Sequence, residues 1–383
     1  MLDPRQPIEG RRPDRFRPPH CPWPDCPKHR AGTGYRCARE GSFRRLHDPR
    51  RKVPRFQCAT CGRGFSRQSF SCTYYLKRPE LLVPIAAGLV AGSAHRQIAR
   101  SLGCAPSTVT RMAARLGRMG LLLQAEALGD LDGLDEPVVF DHFETFAFSQ
   151  DDRVGIGTAV GQQSWFVYSF DPAPHRRAGR RGARRQAPRR PLPPPIPGSV
   201  VRSTSRVLGL LRSLSPSGVR LVTDDHPAYR SAVRSCSSAG QIDHRIFPNP
   251  PRGPGYDPAI ARERDSAMFA VDLLHKLLRH SQAHHRRETI AFGRRSNAII
   301  ERAALMAVWR NFVKGVSERR NDRTTPAMRL GLAARPWSWR DVLSRRRFPG
   351  RISMPEGWMK VYRRGWITPA VGRNLPHNLR HAF

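Results

Sequence analysis

The chain has 383 residues, with 67 Lys and Arg against 30 Asp and Glu, a formal net charge of +37. That length allows two or three domains and a sizeable core, and the charge suits a polyanionic partner. No apolar run could span a bilayer, no basic amphipathic helix suits a membrane surface, and residues 1–20 lack the apolar segment of a secretory signal. The expectation is a cytoplasmic, nucleoid-associated chain without membrane contact, whose eight cysteines are thiols or metal ligands rather than disulfides.

Residues 1–20 are rich in proline and arginine and read as a disordered basic tail. Two cysteine pairs follow, Cys21 with Cys26 and Cys58 with Cys61. Two pairs on separated turns can wrap one tetrahedral Zn²⁺ with four thiolates. The second pair precedes Gly62 and lies between Phe56 and Phe65, the pattern of a zinc-ribbon knuckle over 21–75. Cys37 could replace one ligand, and Cys72 is a weaker spare.

Residues 81–128 read as helices. Ile98, Ala99 and Leu102 make one apolar face, Gly103 breaks the helix, and Pro106 opens another whose face is Val109, Met112 and Leu116. This spacing suits a helix-turn-helix. It would leave Ser107, Thr108, Thr110, Arg111 and Arg115 facing the major groove of double-stranded DNA.

From Pro137 the period becomes strand-like. Strands are expected over 137–148, 153–161 and 164–170, then over 219–223 and 242–247, with helices over 200–214, 229–237 and 268–278. A basic insertion at 172–198 carries Arg176, Arg177, Arg180 and Arg181 as candidate phosphate contacts. This order gives an α/β chain with an RNase H-like catalytic domain over 137–315, a mixed five-stranded sheet with helices on its faces. The residues from 316 form a small C-terminal appendage.

Two strands end in carboxylates, Asp141 and Asp224. A long helix expected over 286–312 offers a third. On it Glu288 shares a stripe with Phe292, Ile299 and Met306, whereas Glu301 lies roughly 220° round. Asp141, Asp224 and Glu288 are therefore the expected catalytic triad and ligands for Mg²⁺ or Mn²⁺, with Glu301 as the competitor for third place.

The order of zinc ribbon, helix-turn-helix, DHFETF, LVTDDHPAY, RRETIAF, NAIIER and WRNFVKG resembles the DDE-type transposases of bacterial insertion sequences, over about residues 20–335. The resemblance implies DNA strand cleavage and transfer by two metal ions held by the acidic triad, and a homo-oligomer assembled on DNA. Two other readings stand beside it: a domesticated DNA-binding regulator with an inactive acidic cluster, and a metal-dependent nuclease without strand transfer.

Overall fold

The computed structural model describes residues 16–31, 33–45, 48–148, 152–176, 196–236, 241–251, 253, 255–366 and 368. The expected basic tail falls largely outside these residues, as do Arg177, Arg180 and Arg181 of the insertion.

The four-residue helix α1 (Pro27–Arg30) precedes an antiparallel sheet of β1 (Cys37–Arg45), β2 (Asp48–Cys58) and β3 (Gly64–Ser66). Its small core is Cys21, Cys26 and Cys58 with Phe56, Phe65 and Phe70, closed by Phe348 from the far end of the chain.

Three helices follow: α2 (Leu82–Val90), α3 (His95–Ser101) and α4 (Pro106–Gly129). Gly103 has φ +56° in the turn between α3 and α4, a conformation that glycine adopts without steric cost. The 24-residue α4 belongs to two cores. Val109, Met112, Ala113 and Leu116 pack with α2 and α3, whereas Leu121 to Leu128 enter the main core.

That main core surrounds a five-stranded mixed sheet in the order β6-β5-β4-β7-β8. The strands are β4 (Val138–Phe146), β5 (Asp152–Gly161), β6 (Val167–Arg176), β7 (Val219–Thr223) and β8 (Ile242–Ile246). β4, β5 and β6 form an antiparallel meander, and β7 and β8 add in parallel. Alternation along β4 covers both of its faces. Phe140 and His142 meet Tyr229 on one side, and Phe143 meets His275 and His285 on the other.

The remaining helices are α5 (Ser199–Leu214), α6 (Pro227–Ser235), α7 (Pro258–Ala267), α8 (Phe269–Ser281), α9 (Ser296–Val308), α10 (Pro326–Arg329), α11 (Trp339–Val342) and α12 (Glu356–Tyr362). α5 packs on β5 and β6, α8 on β4 and β5, and α9 on α4 and β6. The C-terminal segment joins the same core: Trp337 stacks on Phe312, and Trp358 stacks on Phe170 while its indole N–H donates to the Phe170 carbonyl.

One expected element is corrected. The helix over 286–312 does not form as a single piece. A 3-10 turn at Ala283–His285 leads into irregular chain, α9 starts at Ser296, and a π turn at Trp309–Val313 extends it. The reason is tertiary. Gly293 bridges Ala147 at the end of β4, and its carbonyl accepts from the Phe148 N–H at 2.8 Å, so the backbone before α9 is committed to the sheet. Glu288 lies exposed in this irregular stretch, so it shares no helical stripe with Ile299 and Met306.

Candidate metal centres

The ligand atoms of Cys21, Cys26, Cys58 and Cys61 all lie within 4.8 Å of one another. Sulfur separations are 3.8 Å for Cys21–Cys61 and 3.9 Å for Cys26–Cys58. Four sulfurs about 2.3 Å from a tetrahedral ion stand roughly 3.8 Å apart, so the cluster is compatible with zinc. The second pair is built by the end of β2 and the turn after it, where the Gly62 N–H donates to the Cys58 carbonyl at 2.9 Å. Burial pushes the Cys21 and Cys26 thiols up. Cys58 moves down to about 7: burial opposes the shift, but hydrogen bonds from the Cys61 and Thr60 backbone N–H groups and from the Cys61 and Cys21 thiols together outweigh it. Neither spare cysteine belongs to the cluster. Cys37 starts β1, and Cys72 is buried with α2 and α4, its thiol donating to the Arg345 carbonyl.

The second centre lies where β7 ends beside β4. Val138 pairs with Leu221 and Val139 with Val222; that register, continued two residues past the last pair, sets Asp141 opposite Asp224, which follows the end of β7. Oδ1 of Asp141 accepts from Tyr229 Oη at 3.0 Å and from the His142 backbone N–H at 2.7 Å. Oδ2 faces Nδ1 of His275, on α8, at 3.7 Å. Nε2 of His275 is 2.8 Å from Thr158 Oγ1, whose hydroxyl donates to the Asp141 carbonyl at 3.0 Å. Asp224 accepts from the His226 backbone N–H at 3.0 Å and from Asn249 Nδ2 at 3.0 Å. Burial, with the nearby Asp224 charge, pushes Asp141 up to about 7. Burial holds His275 down at about 3, with Arg279 and Arg264 adding to the effect, so its imidazole is neutral. Asp141 and Asp224 are hard oxygen donors, the ligand type that divalent cations such as Mg²⁺ prefer. Among the described residues, only the four cysteines form a group of three or more ligand atoms within 4.8 Å of one another.

Neither glutamate is held at this centre by a contact in the structure. Glu301 is buried between α9 and α4, partnered by Arg364 Nε at 3.4 Å and Arg118 Nη1 at 3.7 Å. Burial raises its pKa, and the charges of Arg364 and Arg118 oppose the rise. Sequence reasoning missed Tyr229, Asn249 and His275. His275 had a legible signal: Val271, Leu274 and Leu278 fix the buried stripe of α8, and His275 sits beside it.

On α4, Ser107, Thr110 and Arg111 are exposed and Thr108 is half-buried. Thr110 donates to the Pro106 carbonyl and lies 3.0 Å from His95 Nδ1. Arg115 turns inward, its guanidinium donating to the carbonyls of Cys72 at 3.1 Å and Tyr74 at 2.7 Å. Arg176 closes β6, and its side chain is outside the described residues.

No helix among the described residues is long and apolar enough to cross a membrane. No protein-family model matches the chain, and no curated protein matches it. The structure defines a mixed α/β protein with a five-stranded mixed sheet, a three-stranded antiparallel sheet and a four-cysteine cluster.

Proposed function

We propose that the protein is a DDE-type transposase that cuts DNA strands and joins them to a target in moving an insertion sequence. The observation that carries this reading is that Asp141 on β4 lies beside the end of the parallel strand β7, where Asp224 follows Thr223 and its charge acts on Asp141. The strand order, with β4 central and β7 beside it, supports an RNase H-like catalytic domain. Asp141 and Asp224 would hold Mg²⁺ or Mn²⁺, which when bound activates the attacking hydroxyl and stabilises the leaving oxygen. Tyr229 and the His142 N–H fix one oxygen of Asp141 and leave the other turned toward the centre. Asp224 is oriented through both oxygens, Oδ1 by the His226 N–H and Oδ2 by Asn249.

The remaining parts serve DNA delivery. The pair α3 and α4 acts as a helix-turn-helix, with Ser107, Thr110 and Arg111 toward the bases. Arg115 braces α4 instead of reading DNA, because its guanidinium is turned inward onto the Cys72 and Tyr74 carbonyls. The cysteine knuckle holds zinc and presents β1, exposed along most of its length, toward phosphates.

The test uses full-length zinc-loaded protein, a duplex carrying both ends of the DNA segment that encodes the chain, a target plasmid, and Mg²⁺ or Mn²⁺. Nicks at the ends and end-to-plasmid joints are the expected products. A second reading, DNA binding without strand chemistry, has one observation in its favour: Glu301 is engaged by Arg118 and Arg364, and Glu288 is off α9. Tight end binding with no metal-dependent product would establish that second reading and overturn the first.

A further inference from the structure

We propose that the open face of β7 and β8 is a track for one DNA strand flanking the cut, with Arg245 and then Arg220 holding two of its phosphates in order from the Asp141–Asp224 centre; this rests on that centre acting on DNA. The register defines the face. Val139 pairs with Val222, Val222 with Arg245, and Arg220 with Asp243. Paired residues share a face and side chains alternate along a strand, so Arg220, Val222, Asp243 and Arg245 lie on the face that carries Asp141. α8 covers this face over β4 and β5, where His275 meets Asp141 and Thr158. Over β7 and β8 the face is open. Arg220, Asp243 and Arg245 are exposed there, whereas Val219, Leu221 and Thr223 on the opposite face are buried.

This face is a cleft rather than a flat surface, lined by Pro137, Gln162, Val222 and Phe247 together with the two arginines. Phe247 is fixed to the end of β7, its N–H donating at 2.9 Å to the carbonyl of Thr223, the residue before Asp224. Residues two apart on a strand are separated by about 7 Å, so Arg245, level with Val222, stands about 7 Å back from the level of Asp224, and Arg220 about 13 Å back. Two cations in line with the two aspartates suit a ligand that carries charge at intervals and must reach those aspartates. Among the described residues the Arg245 guanidinium makes no hydrogen bond. Its ion pair with Asp243 is 3.5 Å long and both side chains are more than half exposed. Such a pair contributes little, whereas a phosphate can take two parallel N–H donors of the guanidinium fork. Val222 and Phe247 offer apolar surface to the sugar carbons of the strand.

The experiment measures binding of full-length zinc-loaded protein to the end-bearing duplex without Mg²⁺ or Mn²⁺, replacing one phosphate at a time by a neutral methylphosphonate. The cut itself is located by nicking with wild type and Mn²⁺. Wild type should lose affinity roughly three- to tenfold at each of two phosphates on one side of the cut. Arg245→Ala should become insensitive at the nearer phosphate and Arg220→Ala at the farther one, and each should lower the salt slope by about 1. Asp243→Asn, which frees Arg245 from its ion pair, should tighten binding. Arg234→Ala removes the same charge from α6, which packs on the opposite face through Tyr229, and should keep both sensitive positions and the slope. If wild type nicks the duplex but neither arginine variant changes sensitivity at any single phosphate, the track is wrong while the strand-cutting reading stands. A reversed order of the two phosphates, or one on each side of the cut, would overturn the register argument. Arginine variants that bind DNA as wild type does but break a dimer in sedimentation would mark the face as a contact between copies and overturn the proposal. If wild type makes no nick, the centre does not act on DNA and the inference falls with it.

Discussion

Gly117 is where the N-terminal half of α4 meets the part packed in the main core, and a single methyl group there tests that contact. A Cβ at Gly117 would stand 2.5 Å from Glu301 O and 2.7 Å from Glu301 C, and closer still to Glu301 Cβ. Carbon atoms pack at about 3.5–4.0 Å, so α4 must retreat from α9 by roughly 1 Å. Much of the obstacle is backbone, so rotamer changes cannot relieve it. Overpacking of this kind costs about 1–3 kcal/mol, and alanine returns about 1 kcal/mol of helix propensity. With the backbone clash at the upper end of that range, Gly117→Ala should destabilise by about 2 kcal/mol. Gly120→Ala meets Ala304 C at 3.2 Å and should be close to neutral. Gly209→Ala, within α5 with nothing within 4 Å of its Cβ, should stabilise by about 1 kcal/mol. Urea unfolding followed through the buried Trp337 and Trp358 should rank midpoints as Gly209→Ala, wild type, Gly120→Ala, Gly117→Ala. A Gly117→Ala midpoint at or above wild type would refute the close α4–α9 contact.

Zinc should be measured at one ion per chain by elemental analysis, and Cys58→Ser should release it and lose the Phe56–Phe65–Phe70 packing seen in near-ultraviolet dichroism; a metal-free wild type with intact dichroism would argue against a zinc knuckle. Arg115→Ala should destabilise by about 1–3 kcal/mol, since two carbonyls lose their donor, whereas Arg111→Ala should leave stability within about 0.5 kcal/mol and weaken DNA binding. Equal melting temperatures for the two variants would show that Arg115 is not a brace. Acid should destabilise the fold below pH 6.5. Burial and the Arg302 charge hold His95 at about 3 rather than 6.5, and the neighbouring His284 and His285 are held well below their ordinary value. The unfolded chain then binds more protons than the folded one, so stability falls as pH drops through 6.5, by about 2 kcal/mol at pH 5 for His95 alone. A melting temperature that is flat from pH 8 to pH 5 would contradict this, and His95→Gln should make the slope shallower.

The cysteine pairs were legible because thiolate spacing is a local signal: both pairs sit on tight turns, and no distant residue decides them. The strand carrying Asp141 and the one ending before Asp224 were legible for a similar reason, through short apolar runs that stop at a carboxylate. Two features were hidden by tertiary structure. The bridge from Gly293 to Ala147 overrides helical periodicity before Ser296, and nothing within 286–295 announces it. Arg115 has the spacing of an outward residue on α4, yet carbonyls in the segment at Cys72 and Tyr74 draw it inward. The C-terminal tryptophans carried no periodic pattern, and only the folded chain brings Trp358 onto Phe170.

The central claim is that Asp141 and Asp224 work together on DNA strands, and the most direct measurement is single-turnover nicking of the end-bearing duplex by Asp141→Asn and Asp224→Asn. Each amide keeps the carboxylate's shape but loses the charge that holds a metal. Both variants should keep their zinc, bind the duplex within about twofold of wild type, and show no Mg²⁺- or Mn²⁺-dependent nicking above background. Nicking at the wild-type rate by either variant would contradict the claim.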